Sequence, residues 1–219
     1  MVLVFDFDGT LHNTAHLYGC AFRKAYAWLV AEGQAPEREY TDEDLTKWLG
    51  VSAPDMWHRF MPQLEDRVWR KASSIIGQEM VRQITEGNAL LYPGIPETLD
   101  RLKADGYTMV VLSNCRHGYM EAHRQYFDLD RWFAAYFCAE DYDFRPKEDI
   151  YREIAAAYPS ESNIIIGDRD SDFKVGLIHG LPTIGCAYGF GTAEELAVCT
   201  EVINSPQELP AALKTVSKK

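Results

Sequence analysis

The chain has 219 residues, 47% apolar and 25% charged, and its 22 Lys and Arg against 33 Asp and Glu leave a net charge of −11. This is an ordinary globular composition, long enough for one medium domain or a core with a smaller appendage. The acidic balance argues against nucleic acid or an anionic membrane surface as the main partner, but not against a phosphorylated small molecule, because a metal and a few local cations reverse the sign inside a pocket.

The first element in chain order is the apolar run Val2–Phe5, which suits a buried strand and ends in Asp6-Phe7-Asp8-Gly9-Thr10. Successive side chains of an extended chain face opposite ways, so Asp6 and Asp8 leave the strand end on one side while Phe7 turns into the core. Gly9 permits a sharp turn in which backbone amides approach an anion. Two carboxylates about 4 Å apart repel by roughly 4 kcal/mol at an effective dielectric of about 20, and a hard cation with oxygen ligands would offset that. The competing reading is a strand followed by an acidic turn.

Residues 13–91 contain no convincing strand and several helical patterns. One covers 14–30, with Leu17, Ala21, Ala25 and Trp28 on one face; another runs over 64–84 through Val68, Ala72, Ile76, Met80 and Ile84. Tyr92-Pro93-Gly94 marks a return to strand–helix alternation: helix Ile95–Ala104, strand 109–112, helix 118–127, strand 135–138, helix Lys147–Ala157, strand 164–166, helix 172–179 and strand Thr183–Cys186. Val202-Ile203 adds a short edge strand and 206–216 a closing helix. Such alternation predicts an α/β fold with a doubly wound parallel sheet. The expected division is a core of residues 1–12 and 92–219 with an all-helical insertion at 13–91. An insertion there sits over the carboxyl ends of the strands, where ligands bind in such sheets, which is the position of a lid.

The longest apolar run, 132–139, is too short to span a bilayer. Cys20, Cys115, Cys138, Cys186 and Cys199 are widely spaced without a CxxC pair and read as reduced thiols. The opening residues lack the basic region of a signal peptide. A cytoplasmic protein is expected, and Ser217-Lys218-Lys219 reads as a solvated tail.

Three further segments fall at strand ends or helix starts. Ser113-Asn114 offers a hydroxyl and an amide, although Ser-Asn after a strand is also an ordinary turn signal. Lys147 follows Pro146, preset for a helix start, and equally suits a solvated helix end. Gly167-Asp168-Arg169-Asp170-Ser171-Asp172 follows a buried strand; some of its acids complement a helix dipole, but three so close suggest a metal.

Asp6-Phe7-Asp8-Gly9-Thr10, Ser113-Asn114, Lys147 and Gly167-Asp168 through Asp172 are the motif set, in order, that this chain shares with the haloacid dehalogenase superfamily. It resembles that family's branch of small phosphatases with a helical cap, such as phosphoglycolate phosphatases, over nearly its whole length. The resemblance implies a Rossmann-like core with a helical cap, and Mg²⁺-dependent hydrolysis of a small phosphorylated metabolite through an aspartyl-phosphate. Asp6 would be the nucleophile, and Asp8 the acid that protonates the leaving alcohol and then the base that activates water. Ser113 and Lys147 would hold the transferring phosphoryl oxygens, with Gly9, Thr10, Asn114 and the cap residue Gly50 as substrate contacts. Asp6 and Asp168 would ligate the metal by side chains and Asp8 by its backbone carbonyl, while Asp172 orders the shell from the second layer or ligates directly. Mg²⁺ suits this all-oxygen set.

Asn13 stands where relatives often carry an acid, and reads as a helix cap. His12 reads as packed rather than as a substrate contact; Asp170 has no assigned role. Cys115 follows the second motif without an evident base, and Trp48, Trp57 and Trp69 read as packing. Arg23 or Lys24 offers an anchor for a substrate carboxylate. A sugar-phosphate mutase is the enzymatic rival: the cap loop Gly50-Val51-Ser52 is followed by Ala53, where such mutases carry an arginine. A non-catalytic binding or regulatory member is the rival from another class, although no motif is lost.

Overall fold

The computed structural model of the protein describes residues 1–159 and 162–217, so the last two residues of the expected tail lie outside the described residues. Six strands form the sheet: β1 (Val2–Phe5), β2 (Thr108–Ser113), β3 (Phe133–Cys138), β4 (Asn163–Gly167), β5 (Thr183–Cys186) and β6 (Glu201–Ile203). They run in the order β3-β2-β1-β4-β5-β6, every pair parallel. Val4 lies beside Val110 and Ile165, and Phe5 beside Val111 and Ile166.

Both faces of the central strands β1, β2 and β4 are buried, which is why those strands read as continuous Val, Ile and Leu runs. Leu3, Phe5, Val111 and Ile166 face one side, under α5 (Ile95–Ala104), α6 (His117–Phe127) and α10 (Leu209–Val216). Val2, Val4, Val110 and Ile165 face the other, under α7 (Lys147–Ala157) and α8 (Asp170–His179). Each fully buried Val or Leu contributes about 1.5–3 kcal/mol, so the central strands fix the register of everything attached to their ends. The strand order reverses between β1 and β4, and a crevice opens at the carboxyl edge of such a switch point.

Between β1 and β2 the described residues form no strand. They form α1 (Ala15–Ala31), α2 (Asp42–Thr46), α3 (Ala53–Phe60) and α4 (Asp66–Thr85), followed by α5. Leu17, Ala21, Ala25 and Leu29, four apart on α1, are all fully buried, and α1 packs along α4. Two short helices escaped the periodicity reading but carry cap signals: Thr41 and Asp44 form a capping box, and Ser52 accepts from the Asp55 amide at 3.3 Å. The segment leaves and rejoins the sheet side by side: Asn13 N donates to Leu90 O at 3.0 Å and Tyr92 N to Leu11 O at 2.9 Å.

Helix α8 begins two residues before its expected start, and the closing segment divides into a 3₁₀ turn, Pro206–Glu208, and α10. A further short helix, α9 (Ala193–Leu196), was not expected. Asn13 is exposed, and Thr14 takes the cap position of α1 without a side-chain bond. No helix among the described residues is long and apolar enough to cross a membrane.

Candidate active site

Strands β1 and β4 end beside each other, delivering Asp6 and Asp168 to the same point of the sheet edge, and α8 adds Asp172 one turn on. All three are buried, and a carboxylate oxygen from each lies within 4.8 Å of the others. Lys147, the first residue of α7, is 2% exposed and donates to Asp6 Oδ1 and Asp172 Oδ1, both at 2.6 Å. Asp6 and Asp172 thus share one ammonium, with Asp168 beside them. Burial first, then the charge of Asp172, pushes the Asp6 carboxyl well above the carboxylate range, against the pull of Lys147. The same two causes push Asp168 up to about 7. Burial alone would favour neutral Lys147, but Asp172 and Asp6 outweigh it and hold the ammonium above its ordinary range. The net negative charge and the all-oxygen donor set fit a hard divalent cation.

The remaining acceptor sites are largely occupied. Asp172 Oδ2 accepts the Asp168 and Arg169 amides at 3.1 and 3.0 Å, so both its oxygens already have partners. Asp168 accepts the Phe190 amide at 2.7 Å and the Thr10 hydroxyl at 3.2 Å. Asp170 is exposed and pairs with Lys174 on its own helix at 2.9 Å.

Gly9 and Thr10, expected as substrate contacts, brace the site instead. The Gly9 amide donates to His12 O at 2.9 Å and the Thr10 amide to Phe7 O at 3.3 Å, while the Thr10 hydroxyl faces Asp168. Closing the turn uses the amides that were to meet an anion. Gly9 holds φ at +91°, and a Cβ there would stand 2.2 Å from Asp168 Oδ2. Glycine therefore lets the turn lie against the acidic cluster.

The Asp8 side chain turns away from that cluster. Its Oδ1 accepts from the Tyr119 hydroxyl at 2.7 Å and from the Thr14 hydroxyl, and lies 3.1 Å from His12 Nδ1. Burial by itself would raise the Asp8 carboxyl, but the bond and charge of His12 and the bond of Thr14 hold it below its ordinary value. His12 is fully buried, and its Nε2 lies 3.4 Å from His123 Nε2; His123 Nδ1 lies 3.1 Å from the Tyr119 carbonyl. A carbonyl only accepts, so His123 carries its proton on Nδ1 and presents Nε2 as acceptor to the Nε2–H of His12. Burial, then the charge of His12, pushes His123 down to about 3, so it is neutral.

A cavity of about 120 Å³ opens above Asp6, Asp8 and Ser113, roofed by α1, α3, α4 and the loop after α2. Ser113, at the end of β2, is 2% exposed. Asn114, expected to meet substrate, lines the cavity and donates through Nδ2 to Gly50 O at 2.9 Å. Arg169 Nη1 donates to Leu49 O at 2.6 Å, and Arg116 Nη2 to Ser73 Oγ at 3.0 Å. Core residues thus hold the loop at Gly50 and the helix α4 down over the site. Trp57 and Trp69 are packed as expected, whereas half-buried Trp48 lines the cavity. Arg23 and Lys24 lie elsewhere, paired with Asp42 at 2.8 Å and Glu79 at 2.6 Å. The contact of Cys115 with Cys138, then burial, raises the Cys115 thiol and keeps it protonated, which does not suit a nucleophile.

Thr14, Tyr119, His123, Arg116 and Arg169 are site residues to which the sequence assigned no role. Arg116 follows Ser113-Asn114-Cys115 and Arg169 follows Asp168, so adjacency to a motif was their one available signal.

The sequence pattern of the family described as haloacid dehalogenase-like hydrolase matches residues 3–186. The phosphoglycolate phosphatase of Agrobacterium fabrum is 29% identical over 194 residues, spanning 85% of this chain and 80% of that protein. The 5′-nucleotidase of Pseudomonas aeruginosa is 26% identical over 200 residues, spanning 89% and 86%. Among solved structures, a predicted phosphatase from Clostridium acetobutylicum superposes with a TM-score of 0.84 at 24% identity over 98% of each chain. CbbY from Rhodobacter sphaeroides in complex with phosphate superposes at 0.78 with 22% identity over 95% of each. At these identities the structures speak to the fold.

Proposed function

The chain belongs to the haloacid dehalogenase-like hydrolase family, and from that premise we propose that it hydrolyses a small phosphomonoester through a phosphorylated Asp6, with Mg²⁺ as its metal. The observation that carries this reading is the buried group of Asp6, Asp168 and Asp172 around the Lys147 ammonium, under a cavity large enough for a leaving group.

Asp6 attacks phosphorus, the bond to the leaving oxygen breaks, and an aspartyl-phosphate remains. Asp8 gives the leaving alkoxide a proton, then takes one from the water that attacks phosphorus and frees Asp6. The resting Asp8 is ionised, so it is set for the second half of the cycle and must bind a proton before the first. The Ser113 hydroxyl and Lys147 hold phosphoryl oxygens. The Asp6 and Asp168 carboxylates and the Asp8 carbonyl would hold Mg²⁺, which supplies charge neutralisation at the phosphoryl group. Asp172, with both oxygens engaged, orders Lys147 and the turn after β4. Residues 13–91 act as a cap that hinges at 12–14 and 90–94, released when the Asn114–Gly50 and Arg169–Leu49 bonds open. The five free cysteines fit a reducing cytoplasm.

The direct test is phosphate release from 4-nitrophenyl phosphate and a panel of phosphometabolites with Mg²⁺ and with EDTA. Activity is expected with Mg²⁺ alone; full activity after demonstrated metal removal overturns the metal assignment. Stability gives a second readout. A carboxyl raised from 3.8 to about 7 binds its proton more tightly when folded. Its contribution is full below about pH 4 and lost as pH rises towards 7. The metal-free protein is therefore expected to melt several degrees lower at pH 7.5 than at pH 5, with Mg²⁺ raising Tm more at the higher pH. A metal-induced shift independent of pH would contradict this.

Tyr119 holds Asp8 in place, which predicts a dependence on the leaving group. Tyr119→Phe is expected to lower kcat/KM for benzyl phosphate about tenfold, the worth of one hydrogen bond to a charged group. For 4-nitrophenyl phosphate, whose leaving group needs no proton, it should change kcat/KM by less than about twofold. Equal losses on both esters would make Tyr119 a packing residue.

A further inference from the structure

Resting on the phosphomonoesterase reading, we infer that the substrate is the phosphate ester of an apolar alcohol without a second anionic group. The wall above Asp6 and Asp8 comes from α1, α3, α4 and the loop after α2, and apart from the small Thr14 and Ser73 hydroxyls its side chains there are apolar or aromatic. Tyr18 projects from α1, Trp48 and Val51 from the loop after α2, Met56 from α3, and Ile76 and Met80 from α4.

The cavity's one cationic side chain among the described residues is Arg116, and its charge is already taken. Nη1 faces Glu140 at 3.3 Å and Nη2 donates to Ser73 at 3.0 Å. A substrate carboxylate placed among these side chains would lose its water without gaining a counter-charge, which is strongly unfavourable.

The test compares four alkyl phosphates, so that an alkoxide leaves in every case and binding rather than leaving-group reactivity is read. Benzyl and isobutyl phosphate are expected to show kcat/KM at least about tenfold above phosphoglycolate and glycerol 3-phosphate, the scale on which apolar pockets separate substrates by one or two carbons. Val51→Arg, on a half-buried loop that tolerates a cation, is expected to turn the ratio towards phosphoglycolate. Ile76→Ala should lower kcat/KM for benzyl phosphate by about tenfold and leave phosphoglycolate nearly unchanged. Preference of the wild type for phosphoglycolate or glycerol 3-phosphate overturns the inference and leaves the phosphatase reading standing. Phosphate release from none of the four, nor from 4-nitrophenyl phosphate with Mg²⁺, overturns both.

Discussion

Asp6→Asn is expected to lower kcat by at least about a thousandfold, or about 4 kcal/mol of barrier, while leaving the fold intact or steadier. Asparagine keeps the shape at the end of β1, and its side-chain oxygen can still accept from Lys147. It lacks the electron pair and charge needed to form a bond to phosphorus. It also removes a carboxyl that burial, then the charges of Asp172 and Asp168, push upward, so the metal-free variant should melt at or above the wild-type temperature. Three measurements check this together: kcat on 4-nitrophenyl phosphate, Tm in EDTA, and the mass of acid-quenched enzyme during turnover. A phosphoryl adduct should be present in the wild type and absent in the variant. Residual activity above about one part in a thousand would remove Asp6 from the nucleophile role.

The acidic cluster was legible because its residues sit at strand ends, where apolar runs give way to charge within one or two positions. Asp6 follows Phe5, and Asp168 follows Gly167, with no freedom for a long loop between. Lys147 was legible through its proline, although a sequence cannot say that its ammonium is buried between two carboxylates rather than solvated.

What stayed hidden was hidden for physical reasons. Tyr119 and His123 lie four apart on α6, a spacing that reads as a helix face, and their partner His12 is more than a hundred residues away in the chain. Only the docking of α6 against the turn after β1 makes a polar network of them. Gly9 and Thr10 were read as anion contacts because such turns free their amides in principle; here Phe7 O accepts three amides and closes the turn on itself. Trp48, Met56 and Met80 fit helical packing equally well whether the space before them holds another helix or a leaving group. Binary patterning marks a residue as buried but does not say against what.

The second large effect is expected at Lys147. Lys147→Met keeps the length of the side chain but leaves Asp6 and Asp172 buried and facing each other without their shared ammonium. Removing one partner of a buried ion pair costs about 3–5 kcal/mol, which for a domain of this size lowers Tm by on the order of 10 °C. Turnover should fall by at least about a hundredfold, because the phosphoryl group loses a preorganised cation at the position where charge develops. Adding Asp172→Asn separates the two effects. The oxygen of the introduced carboxamide can still accept the Asp168 and Arg169 amides, and its NH₂ can donate to Asp6, so the double variant is expected to recover most of the lost Tm. Its turnover should stay as low as that of Lys147→Met alone. If turnover returned with stability, Lys147 would be a structural counter-charge. If Lys147→Met melted like the wild type in EDTA, the buried bridge between Asp6 and Asp172 would contribute nothing to the fold.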